Sequence, residues 1–343
     1  QWLVDGTEVT YRSSMLGVWG IVVRFAQMPL ERLALIANSS KVDAMPERWG
    51  TQVYSQGGQS SSSQLFRAAR LVVQDGWLAP WRVVTARSCL AWFLQYSMIG
   101  AAFQVSDRML STALGLSPFA YGDELFDSVH DESERFSEDS GKTIDSVYWT
   151  KVCSKALLAP TLAAIMESLV SNGAEVERFY GKEEFRRIVT ATRAQRGTIG
   201  SLAGPAFNAN VARNGVMSFS TFICTPLLFT KLIPEEHKNP QNLAWFGLCG
   251  NLTANILGTA CQSAWGRSLD FLAKEGHLSY KEMIGQGLKS GGFRAFVNPT
   301  KWVTRVGMNF VPQGLIPWYY NTIVPLGEGH VKRFVYSSWP VGA

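Results

Sequence analysis

Apolar side chains gather into six long stretches, at about 12–40, 82–113, 147–171, 205–231, 242–272 and 300–323, spaced for helices rather than strands. None is a clean apolar run of about twenty residues, the length of a simple membrane-spanning helix. Arg24, Glu31 and Arg32 interrupt the first stretch, and Arg87 and Asp107 the second. Two arrangements accommodate such charges. A soluble helical protein would keep them on a solvated face; a bundle around a water-filled cavity would turn them inward. A shorter segment at 64–74 places basic residues between apolar ones at helical spacing and predicts a surface helix, and further surface helices are expected at about 182–195 and 279–290. Residues 41–63 are polar and end in Gln59-Ser60-Ser61-Ser62-Ser63, which reads as a flexible insertion. A polar connection with Pro234 and Pro240 separates the fourth and fifth stretches, and the tail 327–343 carries glycine and proline and reads as a surface segment.

A pattern recurs along these stretches. Its fullest copy has Pro29-Leu30-Glu31-Arg32 at the end of an apolar run, then Asp75-Gly76, four residues, and Trp81-Arg82 before the next run. In the second copy Pro160 ends a helix, and Gly197 opens a short segment that closes at Gly204. In the third, Cys261 stands where proline is expected, and Gly292 opens a segment that closes at Pro299. Repetition at this scale predicts one helix-loop-helix unit used three times. The whole chain, 1–343, then forms one domain: repeat 1 at about 12–113, an insertion at 117–146, repeat 2 at about 147–231 and repeat 3 at about 242–323.

These units resemble the mitochondrial carrier family. In that family each odd-numbered helix ends in Pro-x-acid-x-x-base, and a short matrix helix is followed by acid-Gly-x4-aromatic-base-Gly. The resemblance covers roughly residues 14–325. It implies an all-α membrane protein with six transmembrane helices in three pseudo-symmetric repeats, short matrix surface helices and a place in the mitochondrial inner membrane. It also implies an ion-pair gate at the motif. Here that gate is degenerate. Glu31 keeps the acid, but Ala34 holds the position of the base and Arg32 is one step past the acid. The stretch after Pro160 has neither charge, and Arg267 lies one step beyond the third motif. Asp107 resembles the acid of the family's second gate, with Leu110 in place of its base.

By the same resemblance Arg305 occupies the family's basic substrate-contact position, with Arg87 and Arg213 as further candidates. A guanidinium suits carboxylate or phosphate. Gly76, Gly197 and Gly292, with Trp81 and Arg82, match positions where carriers hold cardiolipin on backbone amides at helix starts. No other cofactor is implied.

Composition narrows the functions. Only 17% of residues are charged, against roughly 25% in ordinary soluble domains. The net charge of +5 suits anionic lipids but forms no basic stripe interleaved with aromatics, so nucleic acid is not an expected partner. The cysteines (Cys89, Cys153, Cys224, Cys249, Cys261) are scattered, with no pair spaced for zinc. The histidines (His130, His237, His277, His330) stand far apart, and no nucleophile, phosphate-loop or zinc motif accompanies them. An enzyme is not expected, nor a metal site. Segment 117–146 gathers nine acids against Arg135 and Lys142, which reads as a solvated loop or a docking surface for a basic partner.

Two functions follow from the resemblance. One is a non-transporting accessory subunit of a respiratory-chain or ATP-synthase assembly, with cardiolipin and other subunits as partners. The other is a divergent transporter of an anionic metabolite. A role in outer-membrane protein insertion or apoptosis is a more distant third.

Overall fold

The computed structural model describes residues 2–38, 66, 69–70, 73–74, 76, 78, 81, 84–126, 146–297 and 299–338. The expected insertion at 41–63, Asp75, Arg82, and residues 127–145 of the acidic segment lie outside the described residues, as do the side chains of Glu31 and Arg32. The described chain is helical, with no strand among the described residues.

Six rods carry the fold. They are α1 (Trp2–Asn38), α2 (Ala86–Leu114), α3 (146–180), α5 (Phe207–Leu232), α6 (Pro240–Glu275) and α8 (299–338). Two surface helices, α4 (182–196) and α7 (Tyr280–Gly291), join α3 to α5 and α6 to α8. Local chemistry sets the ends. Thr85 caps α2 by accepting from the Ser88 N–H, and Asn239 caps α6 by accepting from Asn242, with Pro240 at the first helical position. Ser279 accepts from Glu282 at the start of α7. Positive-φ glycines mark the breaks: Gly181 (75°) and Gly197 (72°) bracket α4, and Gly276 (73°) and Gly292 (56°) bracket α7.

Each rod packs on the next in the order α1, α2, α3, α5, α6, α8, and α8 returns to α1, so the rods close a ring. The α6–α8 approach is tightest where Gly247 faces the Gly314 carbonyl; a Cβ at Gly247 would collide with it. Near that point α8 bends at Pro312 and Pro317 and widens into a π turn at Tyr319–Ile323. A second π turn, Ser220–Cys224, lies in α5.

Two rods are long and apolar enough to cross a membrane by length and composition: Ser146–Glu177 and Phe207–Leu232. The ring distributes its residues against the soluble norm. Its interior holds Gln27, Gln95, Asn214, Asn255, Asn309, Arg213, Glu167 and Glu175. Its outer faces carry Val22 on α1, Leu94 on α2, Leu157 on α3, Leu228 on α5, Leu257 on α6 and Val311 on α8.

Several expectations change. Helix α3 runs to 180, past the expected end at 171. Pro160 does not end it: the proline is buried mid-helix, beside the buried Ala159, Ala163 and Ala164, and the helix continues to 180. The tail expected to run along the surface from Gly327 continues as helix to Ser338. The described positions within 64–74 are helical, as that segment's spacing predicts.

Candidate functional site: a charged chamber inside the ring

At mid-height the six rods surround a chamber of about 110 Å³. Glu175 of α3 is its hub. It accepts from Arg24 of α1 at 3.1 Å and from Arg213 of α5, so one carboxylate ties three rods together. Arg213 also donates to Gln262 of α6 at 3.1 Å and to its neighbour Asn214, and lies 4.7 Å from the centre of the Trp265 ring. Glu167, the second carboxylate, accepts from Gln95 of α2 at 2.8 Å. Arg305 of α8 donates to Gln262 at 3.3 Å, and its buried Nε has no hydrogen-bond partner. Its only direct polar contact among the described residues is that amide oxygen.

The ring closes through amides. Gln27 of α1 donates to Asn309 of α8 at 3.0 Å, and Asn309 donates to Asn255 of α6 at 3.0 Å. Gln27, Glu167 and Gln262 thus play one part three times: each meets a polar side chain of the rod before it in the ring, namely Asn309, Gln95 and Arg213. On one side of the chamber Val176, Trp265, Leu269 and Leu272 form an apolar plug with α4 and α7. On the other, Tyr96, Phe103, Phe222 and Tyr320 form an aromatic one.

Beyond the aromatic plug lies a second ionic layer. Arg12 of α1 grips Glu328 of α8 with two hydrogen bonds, at 2.9 and 3.1 Å, and Glu8 pairs with Arg12 and with Arg108 of α2. Asp107 of α2 pairs with the buried Lys155 of α3 at 3.1 Å. At the opposite end Tyr180 donates to Asp270 at 2.9 Å, and burial together with that carboxylate pushes the Tyr180 hydroxyl well above the usual phenol range.

The residues singled out from sequence separate accordingly. Arg305 and Arg213 line the chamber. Arg87 does not; it is exposed in the first turn of α2, because its helix turns the Tyr96 face inward instead. Asp107 finds a base after all, on α3 rather than on its own helix. Pro29 bends α1 where Trp81 meets it: the indole donates to the Phe25 carbonyl at 2.9 Å. Cys261 sits half-buried beside Gln262, and Arg267 holds the Ala295 carbonyl at 3.2 Å. Gly76, Gly197 and Gly292 all adopt positive φ, and the last two close surface helices.

Pro160 and Cys261 are not equivalents. Gly181 and Gly197 recur as Gly276 and Gly292 at one constant chain offset. The same offset pairs Glu167 with Gln262, Ser168 with Ser263 and Asn214 with Asn309, and matches Pro160 to Asn255. The paired residues line the ring interior in both segments. Sequence reading missed Arg24 as a site residue, along with Glu167, Glu175, Gln262, Lys155, Arg12 and Glu328. The glycine offset was the signal that could have found Glu167 and Gln262.

Among the described residues no group of histidine, cysteine, aspartate and glutamate could hold a metal ion. Comparison with protein families, with curated proteins and with solved structures finds no match to this chain.

Proposed function

We propose that this chain is an integral membrane protein of the mitochondrial inner membrane, built as a carrier-like ring of six spanning rods in three repeats, and that it serves as a non-transporting accessory subunit of a large respiratory or ATP-synthase assembly. One observation carries the membrane reading: all six rods turn leucine, valine or isoleucine outward and amides and charges inward. In water each such half-exposed apolar side chain would forgo roughly 1 kcal/mol of burial. In lipid the arrangement is favourable, and many of the inward polar groups pair across the ring, as Glu175 does with Arg24 and Arg213 and Asn309 with Gln27 and Asn255. The inward charges also lower the mean hydropathy of α1, α2, α6 and α8.

The accessory role is supported by the chamber. Arg24 and Arg213 are both engaged by Glu175, hydrophobic clusters pack on either side of the chamber, and a space of about 110 Å³ suits waters or a very small solute. A gate must exchange its ion pairs as it works; a network that links three rods through one buried carboxylate favours a fixed ring. The resemblance to carriers, with its degenerate gate, supports the inner-membrane location and cardiolipin as a bound lipid.

A second reading, a transporter of a small anionic metabolite, rests on Arg305, which faces the chamber with one amide contact and an unpartnered Nε. Two measurements separate the readings. Migration of the protein within a respiratory or ATP-synthase assembly on native gels in mild detergent supports the accessory role. Uptake of a carboxylate or nucleotide into liposomes that disappears in Arg305→Ala would replace it with transport.

A further inference from the structure

Residues 116–126, the start of the acidic insertion, leave the end of α2 as extended chain with a single 3-10 turn, Gly122–Leu125. They do not turn back along the bundle. The Phe119 N–H donates to Asp107 at 3.0 Å, and the Lys155 ammonium stands 3.9 Å over the Phe119 ring. Two residues on, the Arg12 guanidinium stacks 3.4 Å over Tyr121, whose ring meets Tyr320 edge-on at 4.9 Å. The Gly122 N–H donates to Asn321 of α8 at 3.2 Å, and its positive φ of 63° redirects the chain. Leu125 and Phe126 then pack with Phe229 of α5 and with Leu243 and Phe246 of α6.

That path crosses the ring. Helix α2 borders α1 and α3, and α6 stands opposite it in the ring order. A segment that leaves α2, touches α3, α1 and α8 in turn, and is buried against α5 and α6 at Leu125 spans the mouth from one side to the other.

We propose that residues 116–126 are a built-in plug, which seals this mouth and keeps the central chamber from solvent on that side. The proposal rests on the reading of the chain as a membrane-embedded ring. Three features make the segment a plug rather than a loop in passing. It is anchored at both edges of the mouth, by the Asp107–Lys155 clip at one and the Leu125 pocket at the other. Its middle is pinned by a guanidinium that also ties the first rod to the last, Arg12 on Glu328. Its aromatic side chains continue the plug of Phe103, Phe222 and Tyr320 directly above the chamber. Cation–aromatic contacts strengthen where water is excluded, so the segment is held by few residues, and two substitutions suffice to loosen it.

The test uses the full chain with its native cysteines replaced, reconstituted in liposomes and carrying Ser218→Cys, a position that lines the chamber. A small anionic methanethiosulfonate is the probe. The plug account expects slow labelling with the segment intact. It expects labelling at least tenfold faster in Tyr121→Ala/Leu125→Ala and in a variant with 116–126 replaced by glycine and serine. Equal rates in all three, fast or slow, overturn it. Leu157→Cys, on the outer face of α3, is measured beside them. Labelling there with the segment intact would refute the membrane reading itself. Protection there, with unchanged Ser218→Cys rates, would refute the plug alone. If a variant exposes Leu157→Cys it has lost the ring, and Tyr121→Ala alone then decides by the same tenfold criterion.

Discussion

The indole N–H of Trp81 donates to the Phe25 carbonyl, the group that Pro29, lacking an N–H, leaves without its helical donor. Two halves of a motif separated by a long insertion are therefore one device. The proline opens the helix of α1, and the aromatic residue at the entry to the next rod takes up the freed oxygen.

This pairing predicts coupling. Trp81→Phe keeps the ring against Phe25 but removes the donor, and is expected to cost about 1 kcal/mol, read as a lower thermal midpoint in detergent. In a Pro29→Ala background, where the backbone regains its donor, the same substitution should cost much less. Equal costs in both backgrounds would show that the indole bond is incidental.

Glu175 should be the most sensitive chamber residue. Glu175→Gln leaves two buried guanidiniums without their shared carboxylate and is expected to destabilise the fold by about 3–5 kcal/mol. Arg24→Gln removes one guanidinium while Arg213 stays on Glu175, so its cost should be clearly smaller. Chemical unfolding of the two variants side by side checks the order.

The Asp107–Lys155 clip gives a third expectation. Lys155 also donates to the Ser111 hydroxyl and to the Ser117 carbonyl, and these two remain bonded to each other without it, so Lys155→Met chiefly leaves the buried Asp107 carboxylate without its counter-charge. Asp107→Asn/Lys155→Met should then be more stable than Lys155→Met alone, because it removes the unpaired charge. A double variant less stable than the single one would contradict the pairing.

Glycine substitutions separate two kinds of strain. At Gly292 no neighbour blocks a Cβ, so the cost of Gly292→Ala is that of its glycine-only backbone (φ 56°, ψ −147°), about 1–3 kcal/mol. At Gly247 the obstacle is the Gly314 backbone, which cannot swing aside. Gly247→Ala should therefore be the worse of the two in thermal unfolding, by pushing α6 and α8 apart.

Much of the helical order was legible in the sequence, because helical periodicity survives in each rod even where charges break its hydropathy. Surface helices α4 and α7 were legible for the same reason, as amphipathic segments bounded by glycines. The chamber was only half legible. Arg213 and Arg305 were candidates through the carrier resemblance, but Arg24 read as an interruption and Glu175 lay past the expected end of the third stretch, and their partners lie on other rods and far away in sequence. Arg87 looked like its fellow arginines and proved exposed, because half a turn of helical phase separates it from the inward Tyr96 face. Pro160 misled for a physical reason: a buried proline between alanines is carried within a long packed helix, whereas the same residue at a solvated end would stop it. The plug at 116–126 left no signal, as its sequence has no periodicity and its partners come from all six rods.

The central claim is that all six rods face lipid, not only α3 and α5, whose composition alone already qualifies them. Spin labels placed singly at Val22, Leu94, Leu157, Leu228, Leu257 and Val311, in liposomes, test it through their accessibility to oxygen and to a water-soluble nickel complex. The account predicts six labels open to oxygen and shielded from nickel. Nickel access at Val22, Leu94, Leu257 and Val311, with shielding only at Leu157 and Leu228, would contradict it.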